Sequence, residues 1–209
     1  MFTGLIEEIG FVERCVANGQ TMELTIRCEK ILPGTKIGDS IAINGVCLTV
    51  TKMSANTLTF DVMPQTYQQT NFRYLRPSSP VNLERAMAAN GRFGGHLVQG
   101  HVDGTGILCK KQPNENAVIF KFEVPESLTT WMVKQGSIAV NGVSLTLIDV
   151  QKNAFSVSLI PHTLAATQLK DVQIGEQVNI ECDLVGKYLA KWSQQPLLTI
   201  HQKQMSLTQ

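Results

Sequence analysis

Apolar and polar residues alternate along much of this chain. Met22, Leu24, Ile26 and Cys28 are separated by Glu23, Thr25 and Arg27, a period of two that predicts a strand with one face buried and the other wet. The alternation returns at Val118, Phe120, Phe122 and Val124, at Leu58, Phe60 and Val62 after Asn56, and at Phe155, Val157 and Leu159 after Asn153. Helical spacing is confined to two segments. One is Leu83 to Asn90, closed by Gly91; the other is Leu184 to about Ser193, where Val185, Tyr188, Leu189 and Trp192 fall at i, i+3, i+4 and i+7 and form an apolar stripe. Such a stripe needs a partner, either the protein's own barrels or copies of itself in other subunits. The tail from Gln194, with Pro196 and a polar end, is expected to be loose.

Self-comparison organises the strands into two copies of one unit. SIAINGVCLTV (Ser40–Val50) and SIAVNGVSLTL (Ser137–Leu147) lie 97 residues apart and differ at three of eleven positions. At the same spacing VMPQT (Val62–Thr66) matches LIPHT (Leu159–Thr163), and VNLER (Val81–Arg85) matches VNIEC (Val178–Cys182). TGLIEEIG (Thr3–Gly10) matches QGHVDGTG (Gln99–Gly106) more loosely at a spacing of 96, so one residue is inserted between the blocks. Turn formers at Asn18-Gly19, Pro33-Gly34, Asn44-Gly45, Asn114, Gly136 and Asn141-Gly142 cut each copy into roughly six short strands, as in an all-β barrel whose closure removes exposed edges. The expected domains are an N-terminal barrel over residues 1–96, a C-terminal barrel over 97–186, and a helix with tail over 187–209.

Composition narrows the function classes. Of 209 residues 43% are apolar and 17% charged, with a formal net charge of +1 and no block of like charge, so the basic footprint of a nucleic-acid binder is absent. No apolar run approaches the ~18 residues of a membrane span. Glu7 and Glu8 stand where a signal peptide needs an unbroken apolar stretch, which predicts a cytoplasmic protein. Five cysteines (Cys15, Cys28, Cys47, Cys109 and Cys182) form no C-x-x-C pair, and four histidines (His96, His101, His162 and His201) form no H-E-x-x-H, so neither a disulfide framework nor a metal site is expected. Neither a dinucleotide-binding nor a P-loop glycine motif is found, and no cofactor is expected.

The repeated blocks also resemble a known family. The MFTGLIE opening, the paired NGVCLTV and NGVSLTL, the GRFGGHLVQGHVDGTG junction and the VNIECDLVGKYLAK ending are similar, in order and over residues 1 to about 192, to the riboflavin synthase family of the α-chain type. The resemblance implies two six-stranded antiparallel Greek-key barrels with a C-terminal α-helix, assembled as a homotrimer held partly by that helix. It implies a cofactor-free dismutation in which two molecules of 6,7-dimethyl-8-ribityllumazine exchange a four-carbon unit. The products are riboflavin and 5-amino-6-(ribitylamino)pyrimidinedione, the last step of riboflavin biosynthesis. Each barrel would bind one substrate, and the reactive pair would form between the N-terminal barrel of one subunit and the C-terminal barrel of its neighbour. Association with lumazine synthase is left open.

Two identical substrates must take unequal roles, so the chemistry is sought where the copies diverge: Cys47 matches Ser144, Leu5 matches His101, Gln65 matches His162 and Ala86 matches Asp183. By the resemblance the catalytic residues are Ser40, Cys47, His101 and Asp183. A thiol attacks as the thiolate, so a nucleophilic Cys47 needs a cation or proton acceptor nearby; taken alone, it reads as strand filler. His101, in QGHVDG, suits a base or proton relay, or is a plain loop histidine. Asp183 orients a base or caps the helix that starts at Leu184, and the two roles are compatible. His96 is read as structural.

For substrate binding the N-terminal barrel is assigned Gly4, Leu5 and Ile6, Cys47, Leu48 and Thr49, and Asp61, Val62, Met63, Pro64, Gln65 and Thr66. The C-terminal barrel is assigned Gly100, His101 and Val102, Ser144, Leu145 and Thr146, and Ile160, Pro161, His162, Thr163, Leu164 and Ala165. Gln135 joins this set because it stands where many family members carry the lysine that is here displaced to Lys134, and Asn141 stands where an aspartate is common. The alternative reading is a non-catalytic lumazine or flavin carrier of the same fold, the optical antenna type, which tends to lose the catalytic set. A flavin-dependent reductase would need a nicotinamide domain, and a purely structural double barrel would have no affinity for ribityl-pteridines.

Overall fold

The computed structural model of the protein describes residues 1–18 and 21–193. Its strands close into two six-stranded antiparallel barrels. The first contains β1 (Glu8–Asn18), β2 (Thr21–Arg27), β3 (Ser40–Ile43), β4 (Val46–Met53), β5 (Thr57–Val62) and β6 (Pro80–Arg85), in the cyclic order β1-β2-β5-β4-β3-β6. The second repeats that order with β7 (Gly104–Asn114), β8 (Ala117–Glu123), β9 (Ser137–Val140), β10 (Val143–Gln151), β11 (Ala154–Leu159) and β12 (Gln177–Cys182). Among the described residues the strands are accompanied by the α-helices α1 (Pro64–Gln69), α2 (Glu126–Thr129), α3 (Pro161–Ala166) and α4 (Leu184–Ser193). The Asn18-Gly19 turn and the tail from Gln194 lie outside the described residues.

The alternation read from the sequence fills each barrel. Leu24, Ile26, Leu58 and Phe60 are fully buried in the first, and Phe120, Phe122 and Phe155 in the second, where the Phe122 and Phe155 rings stack with centroids 5.2 Å apart. Bulges bend the strands at equivalent places in the two copies, between Val12 and Arg14 and between Leu108 and Lys110, then between Val50 and Lys52 and between Leu147 and Asp149. The extra residue of the second copy falls in the β8–β9 connection, which carries α2.

Two expectations need correction, and one alternative left open by the sequence is closed. The face of β2 expected to be wet is partly covered, because Arg14 Nη2 and Lys52 Nζ each reach a carboxylate oxygen of Glu23 at 2.6 Å, and the Thr25 and Thr59 hydroxyls meet at 3.1 Å. Leu83 to Asn90 is not a helix. Leu83 points into the first core from β6, paired with Glu8 of β1 and Ile43 of β3, and beyond Arg85 the amides of Ala86 and Met87 donate to Ser40 and Met1 carbonyls. Long-range hydrogen bonds override the local helical preference of this stretch. Finally, α4 does not lay its stripe on the barrels: Val185, Tyr188, Leu189 and Trp192 are 56%, 70%, 64% and 74% exposed.

The barrels meet about a pseudo-twofold axis on which equivalent residues touch. A Cβ on Gly45 would sit 2.7 Å from Gly142 N and one on Gly142 2.8 Å from Gly45 N, and both residues have positive φ, so only glycine fits either turn. Around them Asn82 N donates to Asn44 Oδ1 at 2.8 Å and Asn179 N to Asn141 Oδ1 at 2.7 Å. The side-chain amides of Asn82 and Asn179 then cross to the carbonyls of Asn141 and Asn44, both at 2.9 Å. This buried knot needs the asparagine amide, since Asn141 Nδ2 also donates to Gln168 Oε1 at 3.1 Å, a bond the carboxylate of an aspartate lacks. Asn179→Ala strands the Asn44 carbonyl and the Asn71 amide N–H, so it is expected to cost about 1–3 kcal/mol, read as a lower urea midpoint at unchanged m-value. An unchanged midpoint would remove the knot from the account of how the barrels are held.

Candidate functional site

Each barrel is preceded by an arm that its own last strand clamps. Glu84 of β6 receives Thr3 N at 2.7 Å and Gly4 N at 3.1 Å; Glu181 of β12 receives Gln99 N at 2.7 Å, Gly100 N at 2.9 Å and His101 N at 3.0 Å. Both carboxylates are buried, and desolvation raises their pKa against the pull of these amides. The arms also pair with each other at Phe2 and Val98.

The arms are delivered across the axis. Cys47 N donates to Gly100 O at 2.9 Å and Ser144 N to Gly4 O at 2.8 Å. A Cβ on Gly100 would lie 2.5 Å from Cys47 Cβ, and one on Gly4 2.6 Å from Ser144 Cβ, so glycine is what lets the arms lie flat on these strands. Val102 packs against the first core and Ile6 against the second. The sequence assignment is corrected accordingly: Gly4, Leu5 and Ile6 belong with Ser144 at the C-terminal barrel, and Gly100, His101 and Val102 with Cys47 at the N-terminal barrel.

The two sites are alike in backbone and unlike in chemistry. At the first, Cys47 of β4 is half-buried beside the arm that carries an exposed His101. At the second, Ser144 Oγ lies 2.7 Å from Nδ1 of His96, a residue of the linker with no counterpart in the first copy. His96 is buried, and among the described residues its Nε2 has no hydrogen-bond partner. Desolvation lowers the His96 pKa, and the nearby Asp183 carboxylate works in the opposite direction, so the ring is neutral at pH 7. Asp183 also caps α4 through Val185 N at 2.9 Å, the helix-capping role read from sequence. Of the four catalytic candidates the structure therefore puts Cys47 with the His101 arm and Asp183 near His96, the partner of Ser144, while Ser40 stands on β3 opposite Thr49.

Ser40 lines a cleft of about 570 Å³ with Thr3, Leu5, Glu84, Arg85 and Arg92. Leu48 and Val62 point into the first core, so they offer a ligand only backbone. Thr49, Asp61, Met63, Pro64 and Gln65 are exposed, and Thr66 is half-buried in α1. Their counterparts follow suit, with Thr146, Ile160, Pro161, His162 and Ala165 exposed and Leu145, Thr163 and Leu164 half-buried. Gln135 is exposed at φ 66, where the first copy has Gly38 at φ 95, and their amides donate to Leu147 O of β10 and Val50 O of β4. A side chain thus occupies a left-handed turn that the other copy gives to glycine.

Sequence reasoning missed the contact of His96 with Ser144 and the clamp carboxylates. The clamps had a signal: Asn and Glu recur at the outward positions of VNLER and VNIEC, where a strand facing water would have been free to vary between copies. His96 had none, because its role depends on a linker folding back onto Ser144.

The lumazine binding domain family matches residues 3–86 and 99–183, one copy per barrel. The riboflavin synthase of Bacillus subtilis (strain 168) is 50% identical over 192 residues, covering 92% of this chain and 89% of that protein. The riboflavin synthase of Mycobacterium tuberculosis (strain ATCC 25618 / H37Rv) is 44% identical over 195 residues, covering 91% of this chain and 97% of that one. The chain belongs to the riboflavin synthase family. Among solved structures, LumP complexed with riboflavin superposes with a TM-score of 0.81 at 24% identity, over 87% of this chain and 99% of that one, a likeness of fold. Within the riboflavin synthase family frame, Cys47 and Ser144 are one position used twice with different chemistry.

The His96 environment predicts a pH signature. The folded-state pKa lies below the unfolded value of about 6.5, so as pH falls the unfolded chain takes up the proton first and stability is lost. Glu84 and Glu181 act with the opposite sign, since their raised values make the folded state the better proton binder and their contribution improves as pH falls. An NMR titration is expected to place the His96 midpoint below that of a free imidazole and lower still in Asp183→Asn. A midpoint at the ordinary value would contradict the buried neutral ring.

Proposed function

We propose that this protein is a riboflavin synthase, converting two 6,7-dimethyl-8-ribityllumazine molecules to riboflavin and 5-amino-6-(ribitylamino)pyrimidinedione without a cofactor. The observation that carries the reading is the pair of equivalent sites with diverged side chains: two copies of one substrate bind alike, yet one gives up four carbons and the other receives them. We assign the lumazine-binding units to residues 1–96 and 97–186 and the C-terminal segment to 187–209, the second boundary falling within α4.

The reaction needs a base to take a proton from the 7-methyl group, whose anion the conjugated pteridine ring delocalises, and a nucleophile or donor at the acceptor's ring carbon. At the C-terminal barrel a neutral His96 meets the first need. Ser144 donates to Nδ1 of the neutral ring, so its half-buried oxygen is activated to take the substrate's proton and pass its own to the enclosed histidine. Asp183 tempers the loss of basicity that burial imposes. At the N-terminal barrel Cys47 is the nucleophilic or positioning group, with His101 as proton relay and Ser40 at the neighbouring strand.

Acid–base help is worth about 10²–10⁴ in rate, whereas holding two reactants in attack geometry supplies roughly 7–11 kcal/mol, so alignment dominates. The walls meant to hold the rings are open in the single chain: Met63 and Ile160 are 61% and 54% exposed. A neighbour closes them in the assembly we propose, a cytoplasmic homotrimer joined partly through the stripe of α4, with the N-terminal barrel of one subunit facing the C-terminal barrel of the next.

Mixed with the lumazine alone, the pure protein is expected to form one riboflavin for every two lumazines consumed, followed by absorbance and fluorescence. His96→Gln is expected to lower kcat by about 10²–10⁴. Cys47→Ala and His101→Ala should keep measurable turnover, while Leu189→Lys in the stripe should yield a smaller assembly without activity. Tight binding with no conversion would make the protein a lumazine or flavin carrier instead.

A further inference from the structure

The two clamped arms are followed by the same device built from different parts. Two residues after Leu5 comes Glu7, and two after His101 comes Asp103. Glu7 Oε1 receives the Arg85 backbone amide at 2.7 Å, as Asp103 Oδ2 receives that of Cys182, the equivalent residue, at 2.8 Å. In the first barrel the charge is met on the spot, because the Arg85 guanidinium binds Glu7 Oε2 at 2.6 Å. In the second, position 182 is a buried cysteine and offers no cation. Lys187 of α4 supplies it, with Nζ 3.0 Å from both Asp103 oxygens, and the pair is largely sheltered, with side chains 18% and 14% exposed.

The helix is seated by its first turn alone. Asp183 caps it, a Cβ on Gly186 would lie 2.5 Å from the Trp131 carbonyl, and Lys187 ties it to Asp103, while the stripe points away. Asp103 in turn ends the arm whose Gly100 lies on Cys47 and whose Val102 enters the first core. A chain of contacts therefore runs from α4 to the N-terminal barrel's site.

We propose that Lys187 is a positioning residue: by pairing with Asp103 it makes the seating of α4 set the His101 arm over Cys47, while the equivalent arm at residues 3–7 is held by Arg85 independently of the helix. The statement about the arm stands on geometry; its effect on turnover rests on the riboflavin synthase reading. Through Lys187 the orientation of the helix, and with it the burial of its stripe against other subunits, is linked to the first site's arm, whereas the second site meets the same helix through its cap Asp183 and not through its arm.

The test compares Lys187→Met and Lys187→Arg with the wild-type protein in full-length form. Amide hydrogen exchange of residues 99–103 is expected to quicken at least about tenfold in Lys187→Met and to recover in Lys187→Arg, with residues 3–7 unchanged in both. A global loss of stability would quicken both arms alike, and that result, or no change in either, overturns the proposal. In turnover assays with 6,7-dimethyl-8-ribityllumazine, Lys187→Met is expected to raise KM more than it lowers kcat, with Lys187→Arg restoring both. Wild-type kinetic constants in Lys187→Met would likewise overturn the link to the site. If the wild-type protein shows no turnover the function is wrong, yet the exchange result still decides the positioning role.

Discussion

Two turns of backbone approach so closely on the pseudo-twofold axis that no side chain fits between them. Gly45 and Gly142 set that separation, and much of the rest follows from it. With the barrels this near, the outward faces of β6 and β12 are no longer surface, so the polar residues they carry must find partners inside the protein. Asn82 and Asn179 find them in the opposite barrel, and Glu84 and Glu181 find them in the amides of the arms. Burial of these groups is sustained only because each is satisfied, which ties the relative placement of the barrels to a specific set of hydrogen bonds rather than to apolar contact alone.

The same axis explains how one duplicated unit supports unequal chemistry. Backbone geometry is shared: each glycine of an arm lies on the corresponding strand of the other barrel with a nearly identical hydrogen bond. Side chains are free to differ above it. A thiol and an exposed histidine stand at one site; a hydroxyl, a buried neutral histidine and a carboxylate stand at the other. The histidine enters from the linker, which lies outside both copies, so the strongest asymmetry comes from sequence without a repeat partner.

The barrels were legible because period-two alternation and an internal repeat are local signals, and both survive without knowledge of the partner strand. Val81 and Leu83 lie on that same alternation, yet the alanines after Arg85 suggested a helix; the deciding bonds, to Met1 and Ser40, come from residues distant in sequence. Glu23 belongs to the same class, since nothing in its own strand announces that Arg14 and Lys52 will cover it. The repeat supplied the candidate positions but not their sorting into two groups. Thr3 to Ile6 stands at the start of the first copy, and only the crossing of the arms places it at the second. Of the two roles read for Asp183 the structure shows the cap, which is legible because it spans two residues.

The crossing also says something about a barrel taken by itself. Each unit carries the carboxylate that steadies its own arm, but the strand that receives the arm lies in the other unit. A lone barrel therefore has a projecting segment and a vacant acceptor, and a second copy related by a twofold axis would satisfy both at once. The tandem chain is in this sense a strand-exchanged homodimer whose halves have been joined by a linker. Joining them gave each half its own codons, and so the freedom to hold a cysteine where its twin holds a serine.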